Sequence, residues 1–217
     1  MSNARNNILQ RLRRTQPAFE ETNDSISIVF PTYSQEKRIE RFKSTLETVR
    51  TEVHVIPTDT WLDSFKQLVL DKGLNNLLYA EESPLGKKVE SAWSDDALPQ
   101  LTSLKESIEQ WKEKIFFNID ASVTAARAGI AETGSLVLWP DESEPRSWSL
   151  VPPVHFIVLE ASDLYDNFAD LVEKEKWNQG MPTNAVLISG PSKSADIEQT
   201  LAYGVHGPTE LIVLLLT

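Results

Sequence analysis

Residues 185–216 read AVLISGPSKSADIEQTLAYGVHGPTELIVLLL. Two short apolar runs in this stretch, Ala185–Ser189 and Leu211–Leu216, are typical of strands buried in a parallel sheet. Between them, Ser194 is a suitable helix N-cap, and Gly204 lies where a left-handed C-terminal cap is expected. The stretch therefore predicts a strand, a polar turn, a short helix, a second turn and a final strand.

The same alternation of strands and helices extends through the rest of the chain. Further strands are predicted at Val53–Ile56, Leu77–Ala80, Ile115–Ile119, Leu136–Trp139 and Val154–Leu159. Helices are predicted at Asn6–Arg14, within residues 34–50, from Thr60, at Ser122–Ala128, and from Ser162 or Asp163 through Val172. Residues 81–100 are predicted to be a loop with a brief helix at most. This order predicts an α/β fold: a mostly parallel sheet with helices on both faces and one hairpin-like excursion around residues 140–153.

The first residues differ from the rest in pattern. The predicted helix at Asn6–Arg14 ends at Gln16-Pro17, and residues 15–24 are polar and acidic, as in a linker. The chain has 217 residues, which suffices for one domain with an extension. We therefore predict an N-terminal helical arm and linker at residues 1–24 and a single domain at residues 25–217.

Composition excludes several classes of function. The net charge of −11 opposes general binding to nucleic acid. The chain has no cysteine, so it cannot hold an iron–sulfur cluster through thiolates, and we expect no cofactor in this chain. Residues 1–14 lack the apolar core of a signal peptide, and no apolar run approaches membrane-spanning length. We expect a cytoplasmic protein with no membrane insertion.

The polar turns supply groups that suit a small anionic ligand. Lys193 offers a positive charge, and Ser192 and Ser194 offer hydroxyl groups. The Gly-x-x-x-x-Gly-Lys and Gly-x-Gly-x-x-Gly patterns are absent, which argues against a P-loop and a Rossmann dinucleotide site. The predicted substrate-binding set is Thr133, Gly134, Gly190, Ser192, Lys193, Ser194, Asp196 and Gly207.

Two titratable residues are candidates for catalysis. Glu132, in a turn beside Gly134, could act as a nucleophile or general base, or could instead cap neighbouring backbone amides. His206 could act as a general acid or base near neutral pH, or could simply bond a carbonyl at the preceding helix end. His54 and His155 lie inside predicted strands and are predicted to be structural. Histidines so dispersed predict no metal site.

Separated motifs in this chain resemble those of the lactate utilization protein C family, whose members are built from a LUD domain. They are Ile130–Leu138, Ser149–His155, Gly190–Glu198 and Gly204–Pro208. The resemblance implies a fold similar to that of ribose-5-phosphate isomerase, glucosamine-6-phosphate deaminase and the CoA transferases. It also implies an association with the oxidation of L-lactate to pyruvate in bacteria, alongside two partner proteins, at least one of which carries iron–sulfur clusters.

The chain departs from the family pattern at one position before these motifs. Family members commonly carry an acidic residue in an Ala-Asp pair where this chain has Arg127, which reverses the local charge. The resemblance predicts a non-redox component or accessory of iron–sulfur-dependent lactate oxidation. The alternatives are an independent transferase, isomerase or hydrolase acting on a small anionic or phosphorylated substrate, and an interaction or regulatory module.

Overall fold

A computed structural model describes residues 2–14, 30–103, 108–195 and 201–217. The chain forms two compact units, residues 1–30 and 31–217. The first contains helix α1 (Ser2–Arg14). The helix predicted at Asn6–Arg14 is therefore confirmed, and it begins four residues earlier than predicted. The predicted boundary between residues 24 and 25 lies outside the described residues.

The second unit contains the other described elements. Its helices are α2 (Gln35–Glu47), α3 (Trp61–Asp71), α4 (Pro84–Ala92), α5 (Ile108–Phe117), α6 (Ser147–Leu150) and α7 (Phe168–Lys174). Its strands are β1 (Glu52–Ile56), β2 (Asn76–Leu78), β3 (Gln100–Thr102), β4 (Ala121–Ala125), β5 (Ala128–Ile130), β6 (Ser135–Leu138), β7 (Val154–Glu160), β8 (Leu164–Tyr165), β9 (Val186–Ile188), β10 (Lys193–Ala195), β11 (Leu201–Tyr203) and β12 (Glu210–Leu216).

A six-stranded sheet with the order β1-β12-β7-β4-β2-β3 forms the centre of this unit. All of its neighbouring strands are parallel. The apolar run at residues 211–216 lies in the middle, where Val213 is opposite Val53 on one side and Ile157 on the other. The predicted α/β fold with a mostly parallel sheet is confirmed.

Alternate residues of β12 supply the two faces of the sheet, because successive side chains of a strand point in opposite directions. Ile212 and Leu214 pack in the cluster that contains α3 and α4. In that cluster Phe156 meets Phe65 edge-on, with 5.2 Å between ring centroids. Burying a side chain of this size contributes about 1.5–3 kcal/mol. Val213 packs on the other face with α2 and β6, so the sheet is covered on both sides.

A second, four-stranded sheet with the order β8-β5-β6-β9 covers part of that second face. The predicted strand at residues 185–189 exists, but its assignment as a buried parallel strand is wrong. β9 pairs antiparallel with β6, and Leu187 is 46% exposed while Val186 and Ile188 face inward. The hairpin-like excursion around residues 140–153 is also wrong, since β6 and β7 lie in different sheets with α6 between them.

Two predicted elements have the opposite type. Ile115–Ile119 was predicted as a strand, but Ile115 belongs to α5, where it shares a buried face with Trp111 one helical turn earlier. Ser122–Ala128 was predicted as a helix, but Ser122 and Thr124 lie in β4, between β2 and β7. These polar residues are buried inside a central strand. The strand therefore lacks the continuous apolar run by which a central strand is normally recognised in a sequence.

Other predicted helices have different bounds. In place of the helix from Ser194 to Gly204, β10 and β11 form an antiparallel pair, with Ser194 opposite Ala202; residues 196–200 lie outside the described residues. The helix predicted from residue 162 or 163 begins only at Phe168, because Asn167 caps it by accepting a hydrogen bond from the Asp170 amide. In the described part of the chain, no helix is long and apolar enough to cross a membrane.

Candidate functional site

The pairing of the second sheet brings two of the sequence motifs together. β6 runs antiparallel to both β5 and β9, so the turn at residues 131–134 and the turn after β9 lie at the same end of the sheet. A chain of hydroxyl groups connects them: Ser135 Oγ lies 2.8 Å from Thr133 Oγ1 and 2.7 Å from Ser189 Oγ. Ser135 is buried, which shields these short hydrogen bonds from water.

Backbone hydrogen bonds bring in the third motif. The Ser192 amide donates to the Pro208 carbonyl at 2.8 Å, and the Gly204 amide donates to the Ser192 carbonyl at 3.0 Å. A Cβ on Gly207 would lie 3.1 Å from the Ser192 Cβ, so a small residue there allows the two turns to touch. The turns at residues 189–192 and 206–208 therefore form one wall.

This wall encloses a cleft of about 250 Å³, which we call the turn cleft. Its other walls come from α6, β9 and the amino-terminal ends of β7 and β12. The polar side chains that line it are Ser149, His155, Ser189, Ser192 and His206. The apolar side chains that line it are Leu150, Val186, Leu187, Ile188, Pro191, Pro208 and Leu211. Small, mostly apolar clefts with a few polar groups are typical of sites for small organic ligands.

His155 is the functional candidate that sequence reasoning missed. It is the second residue of β7 and is fully buried, with Nε2 2.9 Å from Thr124 Oγ1 and Nδ1 without a hydrogen-bond partner. Burial disfavours the charged ring and lowers its pKa to about 3, so the imidazole is neutral at physiological pH. The available signal was a polar residue within the apolar run VHFIVL of a central strand.

Several predicted site residues meet at the turn cleft. Gly190, Ser192, His206 and Gly207 line it, and His206 lies exposed at its mouth. Thr133 is connected to it through the hydroxyl chain but does not line it. The structure therefore brings these residues of separate motifs together, while their roles in binding or catalysis stay predictions.

Other predicted residues lie elsewhere. Lys193 is exposed in β10 and does not line the turn cleft, and Ser194 is a strand residue instead of a helix N-cap. Glu132 is exposed, and its amide donates to the Asp166 carbonyl at 3.0 Å. Gly134 packs against Thr45 and Leu46 of α2. Asp196 lies outside the described residues.

A second cleft, of about 690 Å³, lies where the strand order changes direction. The connection from β2 leads outward to β3, whereas the connection from β4 leads inward to β7. In open α/β sheets, ligands commonly bind in the crevice at the carboxyl ends of two such strands. Ser83 follows β2, Ala125 ends β4, and both line this cavity, which we call the switch-point cleft.

The switch-point cleft is rich in carboxyl groups. Asp141, Glu144 and Asp163 line it. Burial is the main cause that raises the pKa of Glu144 to about 7; a hydrogen bond from the Ala125 amide opposes the rise, and the charge of Asp141 adds to it. Burial also raises the pKa of Asp163. This cleft therefore holds a carboxyl group that exchanges its proton near neutral pH.

Arg127, the departure from the family pattern, lines the switch-point cleft and not the turn cleft. Its Nε lies 3.0 Å from a Glu175 carboxylate oxygen, and the Tyr165 hydroxyl donates to the same carboxylate at 2.6 Å. Its guanidinium also lies over the ring of Trp139, 5.1 Å from the centroid. Arg127 therefore pairs with Glu175 at the switch-point cleft and does not line the turn cleft.

Comparison with known proteins gives consistent results. The model of the LUD domain family matches residues 39–216. An uncharacterized protein of Neisseria meningitidis serogroup B is 38% identical over 218 residues, covering 97% of this chain and 92% of that protein. A protein of Exiguobacterium named lactate utilization protein C is 25% identical over 210 residues, covering 95% and 89%. The crystal structure of a DUF162 family protein from Deinococcus radiodurans has a TM-score of 0.62 at 16% identity, covering 86% of this chain and 100% of that chain, and shows a shared fold.

Proposed function

The chain belongs to the LUD domain family, and from that premise we propose that it acts in lactate utilization. In this proposal it is a non-redox component of an iron–sulfur-dependent oxidation of L-lactate to pyruvate. The observation that carries the proposal is similarity along nearly the whole chain to a protein named lactate utilization protein C. The matched residues 39–216 include every turn of the turn cleft.

The non-redox part of the proposal rests on composition. Iron–sulfur clusters are held mainly by cysteine thiolates, and this chain has no cysteine. Partner proteins would therefore carry the electrons. The turn cleft is the working site in this proposal, because residues of the separate motifs meet there.

Gene deletion with complementation tests the biological role. A deletion strain that lacks redundant lactate dehydrogenases is expected to lose growth on L-lactate and to keep growth on pyruvate. The wild-type gene on a plasmid should restore growth. Normal growth of the deletion strain on L-lactate would refute the proposal.

A biochemical test addresses the non-redox assignment. Purified chain alone is expected not to reduce an artificial electron acceptor with L-lactate. Added to an extract of the deletion strain, it should restore L-lactate-dependent reduction of that acceptor. Lactate oxidation by the purified chain alone, or stoichiometric iron or flavin retained on it, would overturn this assignment.

A further inference from the structure

We propose that the floor of the turn cleft binds an uncharged hydrogen-bonding group of a small organic ligand, through Nδ1 of His155. His155 lines the cleft and is fully buried. Its Nε2 is already engaged with Thr124 Oγ1 at 2.9 Å, so Nδ1 is the ring atom left to bond a ligand. Buried polar atoms without partners are rare in folded proteins, and this one belongs to a residue that lines the cleft.

The surroundings of His155 favour an uncharged group over an ion. Leu150 and Leu211 line the same cleft, and no lysine or arginine lines it among the residues that the structure describes. An ion placed at the floor would lose its hydration without gaining a counter-charge, whereas a neutral group needs only a hydrogen bond. His206 lies exposed at the mouth, so a charged end of the same ligand could stay in contact with water.

The hydrogen bond to Thr124 allows two tautomers, and a neutral group can pair with either. If the Thr124 hydroxyl donates to Nε2, then Nδ1 carries the proton and donates to a carbonyl. If Nε2 carries the proton, Nδ1 accepts from a hydroxyl. Benzyl alcohol can bond to either tautomer, whereas acetophenone can only accept a hydrogen bond. Comparing these two probes therefore distinguishes the two tautomers of His155.

The experiment titrates the full-length chain, labelled with ¹⁵N-histidine, with benzyl alcohol, toluene, benzoate and acetophenone. Calorimetry gives the affinities, and nuclear magnetic resonance follows the ring nitrogens. We expect benzyl alcohol to shift the His155 Nδ1 signal and to bind about 10-fold more tightly than toluene, equivalent to about 1.4 kcal/mol. Benzoate should bind more weakly than benzyl alcohol and leave that signal unchanged. Binding of acetophenone would assign the proton to Nδ1.

Two variants test whether the His155 ring causes the preference for benzyl alcohol over toluene. In His155→Leu the preference for benzyl alcohol over toluene should disappear. The matched control is His54→Leu, another strand histidine, which lies in β1 and does not line the turn cleft. The comparison of probes on the unmodified chain needs no variant, so it still decides the question if His155→Leu fails to fold.

Three results would overturn the proposal: equal affinities for benzyl alcohol and toluene, tightest binding by benzoate with a shift at His155, or no His155 shift at millimolar benzyl alcohol. The inference goes beyond the proposed function and can fail separately from it. The probe titration tests which chemical group the cleft floor accepts, whereas growth on L-lactate tests the biological role.

Discussion

The turn cleft and the switch-point cleft offer a ligand different chemistry. The turn cleft is small and mostly apolar, and a neutral imidazole lies at its floor. The switch-point cleft is larger and lined by carboxyl groups, and its arginine is paired with Glu175. The general rule for α/β sheets favours the switch-point cleft, whereas the sequence motifs meet at the turn cleft. Position in the fold therefore does not by itself choose the functional site.

The difference follows from which segments supply the walls. The switch-point cleft takes its carboxyl groups from segments that connect strands, including the acidic loop at residues 141–144. The turn cleft lies between the two sheets, where strands supply apolar side chains. Variants that change one cleft at a time can therefore show what each cleft contributes to stability and to function.

The largest expected effect comes from two glycines: Gly86 in α4, the helix whose first residues line the switch-point cleft, and Gly190 in the wall of the turn cleft. In Gly86→Ala the new Cβ would lie 1.7 Å from the Ala80 carbonyl oxygen, a backbone atom that cannot move aside alone. We expect α4 to shift from the switch-point cleft and the free energy of unfolding to fall by about 3 kcal/mol or more. In Gly190→Ala, at the turn cleft, φ is +140° and the Cβ would lie 2.9 Å from Val49 Cγ2, so a loss of about 1–3 kcal/mol is expected.

Urea denaturation measures both losses. Gly180→Ala is the matched control, because nothing lies within 4 Å of its added Cβ and its backbone is extended. If Gly86→Ala were as stable as Gly180→Ala, α4 would not lie as close to the loop after β2 as the structure shows.

The second prediction concerns the pH dependence of stability at the switch-point cleft. The pKa of Glu144 rises from an ordinary 4.5 to about 7 on folding, so between these pH values the unfolded chain loses its proton while the folded chain keeps it. The free energy of unfolding should therefore fall as pH rises through this window. Between pH 5 and 7.5 the wild type should lose about 2–3 kcal/mol more than Glu144→Gln, which stays neutral.

The exposed neighbour Glu142 provides the control for this measurement. Glu142→Gln should keep the pH dependence of the wild type in urea denaturation. Parallel curves for the wild type and Glu144→Gln would show that the Glu144 carboxyl is not desolvated in the switch-point cleft.

The sequence predicted the central sheet well because its strands have a distinct pattern. The continuous apolar runs of β7 and β12 are long enough to require burial on both faces. β4 was missed because its buried Ser122 and Thr124 owe their place to tertiary partners: Ser122 Oγ donates to the Trp148 carbonyl at 2.6 Å, and Thr124 pairs with His155. Such partners are distant in sequence, and local periodicity does not reveal them.

The candidate site could be predicted in part for a related reason. Turn residues such as Gly190, Ser192 and His206 stand out in a sequence because they interrupt apolar runs. His155 lies inside such a run, and only the packing of α6 and β9 over the sheet creates the cleft beside it. The prediction of Lys193 as a cleft residue assumed a helix after Ser192, whereas the observed β10 leaves Lys193 outside the lining.

The third prediction concerns the hydroxyl chain behind the turn cleft. Ser135→Ala removes the hydroxyl that bonds both Thr133 and Ser189, and it should lower the free energy of unfolding by about 1 kcal/mol. A double-mutant cycle with Ser189→Ala measures the coupling, since the two single losses should not add. Fully additive losses would show that the Ser135 and Ser189 hydroxyls do not interact.

The smallest expected effect on stability is that of Lys193→Ala. Lys193 is exposed, so the free energy of unfolding should change by less than about 0.5 kcal/mol.

Sequence reasoning predicts that Lys193→Ala weakens anion binding about 10-fold to 100-fold through loss of a charge-assisted contact. The structure favours a different outcome, because His206 lines the turn cleft and Lys193 does not. In lactate-growth complementation, Lys193→Ala should support growth and His206→Ala should not, with both proteins melting like the wild type. Loss of growth with Lys193→Ala at native stability would instead favour an anion held beside the paired strands β10 and β11, and would move the functional site away from the turn cleft.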